Sequence, residues 1–402
     1  MTTDSDDVVV TEALAARTGT DPGDWFLVFK ARYGMEIVFR ALRDVRGPGD
    51  VATQAFTCST AIDPILVAGL TPVYGDVSPA SISLDPERLV LSAGTRAVVI
   101  QHTFGIIDTP AAGRLGDAAH RAGSLVVEDS AHCAGRMARD SAGAPLADVS
   151  IHSFGVEKML PTRFGGAVWV NPRLGDGARL GDSALRARIV EGLRGAPVVG
   201  RRLDLVTRAY RGEVALLNRL PGVLSRPARG MLTSLRAFEP AVGAVEGRGS
   251  LPYRSMRPTA WMTRRIAAAL PQLDEIEHRR GAAVTEYQSA LASVVEVPSA
   301  IRAGDPLVRW PFFATDAAAA LRTLAALRSA GVYAGTWYRP LLFPGVEDPS
   351  AYGYVPGDGR LATSEDLSAR VVNLPTMGGA TQARRVAEVV RAATAAGGSS
   401  QT

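Results

Sequence analysis

From Val51 onward, short apolar runs alternate with segments whose apolar residues recur every three or four positions. The runs VATQAF (51–56), TPVYGDV (71–77), AVVIQHTFG (97–105) and SLVVED (124–129) read as strands. Between them STAIDPILVAGL (59–70), PERLVLSAG (86–94) and PAAGRLGDAAHRAG (110–123) read as helices. Strands separated by crossover helices predict a mostly parallel sheet flanked by helices, the doubly wound α/β class. Polar residues at the strand ends, Asp76, His102, Asp129 and Ser153, would then share the carboxyl edge, where such sheets bind ligands.

Upstream, Tyr33-Gly34-Met35-Glu36 opens a helical pattern through IVFRALRDV that stops at Gly47-Pro48-Gly49-Asp50. A glycine at a helix entry lets backbone amides approach an anion. The acidic leader before it is expected to fray. Residues 172–250 change character: they are Arg-rich, with patches of helical periodicity broken by Gly and Pro. They read either as a helical segment with solvated faces or as a basic surface for a phosphorylated substrate or another subunit. Downstream, residues 262–291 form two helical patterns divided by Pro271. Strand candidates VVEVPS (294–299) and LVRWPFFAT (307–315), a helix over 316–331, a loop-rich stretch VYAGTWYRPLLFPG (332–345), RVVNLPT (370–376) and a last helix over 382–396 complete the chain. The expected organisation is a large α/β domain over 1–252 and a smaller α+β domain over 253–402.

Composition narrows the class. With 402 residues, 47% hydrophobic and 21% charged, the chain can bury a large core. A formal net charge of +4 does not by itself call for nucleic acid or a membrane. Two cysteines, Cys58 and Cys133, make neither a disulfide framework nor a metal-binding spacing, so no metal is expected and a reducing cytoplasm fits. The polar N-terminus does not read as a signal peptide, and no apolar run is long enough for a transmembrane helix.

The candidate chemistry lies between Ser124 and Val170. An apolar strand ends in Glu128 and Asp129, and Lys158 stands shortly before Gly165-Gly166 and a further apolar strand, Ala167 to Val170. Lys158 and Lys30 are the only two lysines among 44 basic residues. Where mere charge is needed this chain uses Arg, so a surviving Lys points to an amine that can lose its proton and attack a carbonyl. Lys30 reads equally well as a chance survivor.

Taken together, EDSAHCAG, SFGVEK and RFGGAV, with GPGDVATQAFTCSTAIDPILVAGLTPVYGDV before them and YRSMRPTAWMTRR and RVVNLPT after, resemble the DegT/DnrJ/EryC1/StrS family of pyridoxal-phosphate-dependent sugar aminotransferases. The resemblance implies fold type I and pyridoxal 5′-phosphate held covalently on Lys158 as a Schiff base, with the freed lysine shuttling the proton. Asp129 would pair with the pyridine nitrogen, His132 would reach the ring hydroxyl, and Ser153 would bind the phosphate. Gly34 and Met35 align with the phosphate-cradling loop, Gly165-Gly166 with a close backbone crossing, and Cys58 with a position where an aromatic residue stacks on the ring. Pro252 stands where the partner subunit lends an Asn. The implied reaction moves an amino group from glutamate or glutamine to a keto sugar or keto cyclitol, in a homodimer with a shared site. A dehydratase-type reaction on a sugar and a non-catalytic regulatory relative are the alternatives. The dehydratase branch replaces the lysine by His, so Lys158 argues against it.

Overall fold

The computed structural model describes residues 5–176 and 180–398. In chain order the elements are α1 (Ser5–Thr18), β1 (Trp25–Val28), α2 (Ala31–Arg46), β2 (Asp50–Gln54), α3 (Ser59–Val67), β3 (Thr71–Gly75), β4 (Val77–Ser78), β5 (Ser83–Leu84), β6 (Thr95–Gln101) and α4 (Thr109–Arg121). These are followed by β7 (Leu125–Ser130), β8 (Val149–Ser153), β9 (Gly166–Val170), α5 (Ser183–Gly195), α6 (Arg201–Arg219) and α7 (Gly222–Ser234). The remainder is α8 (Ala260–Ala269), α9 (Leu273–Leu291), β10 (Arg309–Phe313), α10 (Ala317–Ser329), α11 (Ala362–Arg370), β11 (Val371–Pro375) and α12 (Gly379–Gly398).

Seven strands form one sheet in the order β1-β9-β8-β7-β6-β2-β3. Strands β3, β2, β6, β7 and β8 run parallel, while β9 is antiparallel to β8 and to β1. Strands β7, β8 and β9 are buried at every position, as a sheet covered on both faces requires. The mixed α/β class read from the alternation is therefore the fold. A second sheet pairs β10 antiparallel with β11. One continuous apolar cluster joins Val28, Val38, Val127 and Val168 to Tyr287, Trp310, Val372 and Val390.

Several local expectations change. The acidic leader is helical: α1 packs Val10 and Leu14 into a cluster with Ile266 and Leu273. Residues 86–94 form no helix, because Asp85 accepts the Glu87 N–H at 3.0 Å in a side-chain turn and Leu89 and Leu91, two apart, pack against the core. Only Glu296 of 294–299 bridges to the sheet, at Phe313. Strand β1, four apolar residues long, and helix α11, nine residues with Leu367 as its one large apolar side chain, are too short to show a period, and the sheet edge and the underlying core hold them in place. Strand β7 also continues through both of its acids to Ser130.

The sheet core carries a polar strut. On β7, the Glu128 carboxylate accepts from Ser150 Oγ of β8 (2.5 Å), the Ala138 N–H (2.6 Å) and His102 Nε2 (2.8 Å). Burial works to raise its pKa, and these bonds outweigh burial and hold it below the usual carboxylate value. His152 of β8 accepts the Gly135 N–H at Nδ1 (3.1 Å), which leaves the proton on Nε2, 3.0 Å from Ser150 Oγ. Burial pushes the His152 pKa down to about 4. Beside this strut, β9 crosses the start of α2 so closely that a Cβ on Gly166 would lie 2.7 Å from the His152 carbonyl and 2.9 Å from the Ala31 nitrogen.

Because those neighbours are backbone atoms that cannot swing aside, Gly166→Ala is expected to destabilise the fold by roughly 1–3 kcal/mol. Gly113→Ala, inside α4 with open space around it, should instead stabilise by about 0.5–1 kcal/mol. Urea midpoints of the two variants would check both signs. The neutral His152 sets a pH dependence. Between about pH 6.5 and about pH 4 the unfolded chain binds a proton that the folded chain refuses, so stability falls as pH falls through this window. From about pH 7 to about pH 5 the loss through this residue is roughly 2 kcal/mol, and His152→Gln should flatten it. An unchanged slope of unfolding free energy against pH in that variant would contradict the assignment.

Candidate active site

At the carboxyl edge of β6, β7 and β8 a cavity of about 350 Å³ is lined by Asp129, His132, Ser153, Lys158, Cys58 and Met35, together with Lys30, Ala31, Arg32, Trp337 and Tyr338. Six of the seven site residues read from the sequence thus meet in one place. The exception is Gly34.

Each lining group is placed by its element. Successive strand residues face opposite ways, so with Glu128 locked into the strut Asp129 turns to the cavity. Asp129 Oδ1 accepts the Ala131 N–H at 3.0 Å, and burial raises its carboxyl pKa. Ser153 ends β8, and its hydroxyl accepts the Gly155 N–H at 3.3 Å. Cys58 caps α3 at its N-terminus and accepts from the Thr60 hydroxyl (3.1 Å). Lys158 follows a turn in which Glu157 holds φ +61°.

The amine of Lys158 forms no ion pair among the described residues. Its Nζ lies 2.8 Å from His132 Nε2 and 5.1 Å from the Trp337 ring centre. His132 accepts the Phe104 N–H at Nδ1 (3.1 Å), which puts the imidazole proton on Nε2. That N–H can donate to Lys158 only if the amine is neutral. Burial lowers the pKa of both residues, in the same sense. The imidazole is clamped between two rings, with Trp337 at 5.3 Å and 4° and Phe104 at 6.4 Å and 13°.

The helix entry needs correcting. Helix α2 begins at Ala31 with Lys30 as its N-cap, so Gly34 sits one turn in. There a Cβ would meet Val168 Cγ2 at 2.4 Å, so Gly34 serves packing against β9 rather than an anion. The first-turn amides and the side chains facing the cavity belong to Lys30, Ala31 and Arg32. Lys30 is therefore no chance survivor: it is buried and bonded to Glu239, with burial lowering its pKa. Arg32 pairs with buried Glu246 and donates to the Ala241 carbonyl (2.8 Å).

Trp337, Tyr338, Glu239 and Glu246 escaped the sequence reading. The available signal was the aromatic cluster in 332–345 of a chain with only 6% aromatic residues. Among the described residues no group of three or more His, Cys, Asp or Glu could hold a metal ion.

The site suits a flat anionic cofactor with a reactive carbonyl. It offers an amine whose pKa burial lowers, a buried carboxyl group, a stacked imidazole and a helix N-terminus beside Ser153. Since Glu239 and Glu246 already offset Lys30 and Arg32, a phosphate here would rest on the α2 amides and Ser153.

Comparison with known proteins agrees with this geometry. Residues 30–180 match the model of the DegT/DnrJ/EryC1/StrS aminotransferase family. Over 129 residues the chain is 30% identical to GDP-perosamine synthase of Caulobacter vibrioides, a match covering 31% of this chain and 34% of that protein. The matched stretch thus spans about a third of the length of this relative. In fold, the chain superposes over 98% of its length on the aminotransferase TlmJ from Streptoalloteichus hindustanus (92% of that chain, TM-score 0.68, 23% identity). It also superposes over 98% of its length on ntda from Bacillus subtilis with bound cofactor PMP (78% of that chain, TM-score 0.70, 15% identity). Residues 30–180 are thus similar to the DegT/DnrJ/EryC1/StrS aminotransferase family, and nearly the whole chain shares the fold of these solved structures.

Proposed function

We propose that the cavity holds pyridoxal 5′-phosphate covalently through Lys158, and that the chain transfers an amino group from glutamate or glutamine to a keto sugar, most simply a nucleotide-linked one. The observation that carries this reading is the Lys158 amine, which has no ion pair among the described residues, faces an imidazole N–H and shares the cavity with Asp129. The similarity to GDP-perosamine synthase supports a nucleotide-linked sugar as the acceptor. When bound, the cofactor supplies an electron-withdrawing ring that stabilises negative charge at the donor Cα.

The chain's own residues do the rest. Asp129 keeps a proton on the ring nitrogen, because a carboxylate in this buried setting favours a positive neighbour. Lys158 takes the proton from the donor Cα and returns it, which a neutral amine can do and a guanidinium cannot. His132 directs its Nε2 proton at Lys158 and holds the amine in its unprotonated form. Trp337 keeps the imidazole from rotating, and Ser153 with the α2 amides anchors the phosphate. A homodimer completes the proposal, with the segment around Pro252 approaching the partner's site.

Transfer of label from ¹⁵N-glutamate to a panel of nucleotide-linked keto sugars tests the reaction. Lys158→Ala and Lys158→Arg are expected to abolish transfer, and borohydride should fix cofactor to neither. Asp129→Asn should keep the cofactor attached and slow donor deprotonation by on the order of a hundred- to a thousandfold. Single-turnover rates with glutamate like those of the native protein would refute the role of Asp129. His132→Phe preserves the stack on Trp337 and removes the N–H. Its expected effect is a roughly tenfold slower attachment of added cofactor near neutral pH, recovering as pH rises and Lys158 deprotonates by itself. A pH-independent deficit would mean that His132 acts only through packing.

A further inference from the structure

The Arg-rich segment that the proposed chemistry leaves unused has two opposed faces. On α6, Leu203, Thr207, Tyr210 and Leu217 are buried against Phe164, Phe238 and Met262. Phe164 itself lines the cavity, as does Arg163, whose guanidinium sits over the Tyr210 ring (5.7 Å). The opposite face of α6 bears Leu205, Ala209, Gly212 and Leu216, spaced i, i+4, i+7 and i+11, all exposed. Helix α7 adds Leu224, Met231 and Leu235 at i, i+7 and i+11, with Val223 beside them. The five leucine and methionine side chains and Val223 are between 56% and 81% exposed. Six large apolar side chains clustered on one helical hairpin are more than scattered surface residues.

The charge beside them limits what can cover them. Residues 201–236 contain eight arginines and two acids, whereas the whole chain has a formal net charge of only +4. The positive charge is thus concentrated on this hairpin. Seven of the eight arginines are exposed; Arg201 and Arg219 flank the apolar stripe of α6, and Arg208 beside them pairs with Asp204 (2.7 Å). A second copy meeting this hairpin with its own α6–α7 across a twofold axis would set the arginines against one another. A surface that accepts apolar side chains and carries dense negative charge around them is the interface of an anionic bilayer. No helix among the described residues is long and apolar enough to cross a membrane, so the contact would lie in the interfacial plane.

We propose that the α6–α7 hairpin docks the protein on an anionic lipid surface, with Leu205, Leu216, Leu224, Met231 and Leu235 entering the headgroup boundary and the flanking arginines pairing with lipid phosphates. The inner face of α6 abuts the cavity wall, so docking would hold the site close to the bilayer. This inference stands independently of the reaction proposed above. The test is flotation of the purified full-length chain with phosphatidylcholine vesicles, with and without phosphatidylglycerol. The protein should float only with the anionic vesicles and should be released as salt is raised. Leu216→Asp with Leu224→Asp should weaken partition by at least about tenfold, and Arg201→Gln and Arg219→Gln by about fivefold each. All four changes are at exposed positions, and unaltered circular dichroism melting would confirm that the fold is intact. Failure to float with anionic vesicles at low salt overturns the proposal, as does undiminished flotation of the double Asp variant. A fall in the native oligomer size on the Asp substitutions would assign the face to a subunit contact and overturn it equally.

Discussion

Glu128 is the constraint on which the site depends. A carboxylate taken out of water must be fully hydrogen-bonded, and this one is satisfied by a histidine following β6, a serine on β8 and a backbone amide at Ala138. Those three bonds hold neighbouring parts of the sheet in one register. With Glu128 committed to that side, the pleat sends Asp129 to the other. A register slip would exchange the two acids, putting the fully bonded one in the cavity and the reactive one in the core.

The same logic places the amine. Lys158 lies in a turn after β8, a strand held through Ser150 and the buried, neutral His152. The lowered pKa of Lys158 is a product of surroundings rather than of sequence: removal from water, no ion pair among the described residues, and an imidazole whose tautomer is set by the Phe104 amide. Trp337 then fixes the plane of that imidazole from a loop far along the chain. The contrast with Lys30 is instructive. Two lysines line one cavity, yet Lys30 is ion-paired with Glu239, while Lys158 faces an imidazole N–H that favours its uncharged form.

Periodicity, spacing and residue chemistry made much legible in advance. The strand and helix alternation from 51 to 129 and the placement of Asp129 and Ser153 at one strand edge follow from local rules, a period of two in strands and a period near 3.6 in helices. The scarcity of lysine singles out Lys158, and His132 and the tight Gly165-Gly166 crossing come from the family resemblance. Those rules run short where one residue type serves two ends. Gly34 suggested an anion loop because glycine serves both anion binding and close packing. Only the position of Val168 decides for packing. Leu89 and Leu91 suggested a helix because nothing local reveals that the Asp85 turn captures the chain.

What the amino-acid sequence determined by itself is the α/β class, the edge at which chemistry collects, and the lysine, aspartate and serine that collect there, the family resemblance adding His132. These are fixed by neighbours within a few residues along the chain. The tertiary structure alone decided which of two acids and which of two lysines faces the cavity in a reactive state, that Trp337 clamps His132, that Glu239 and Glu246 offset the cations of α2, and that one face of α6 stays uncovered. Each of these depends on residues that are distant in sequence and adjacent only after folding. Burial and hydrogen bonding, which set their charge states, are properties of that arrangement and of no single segment.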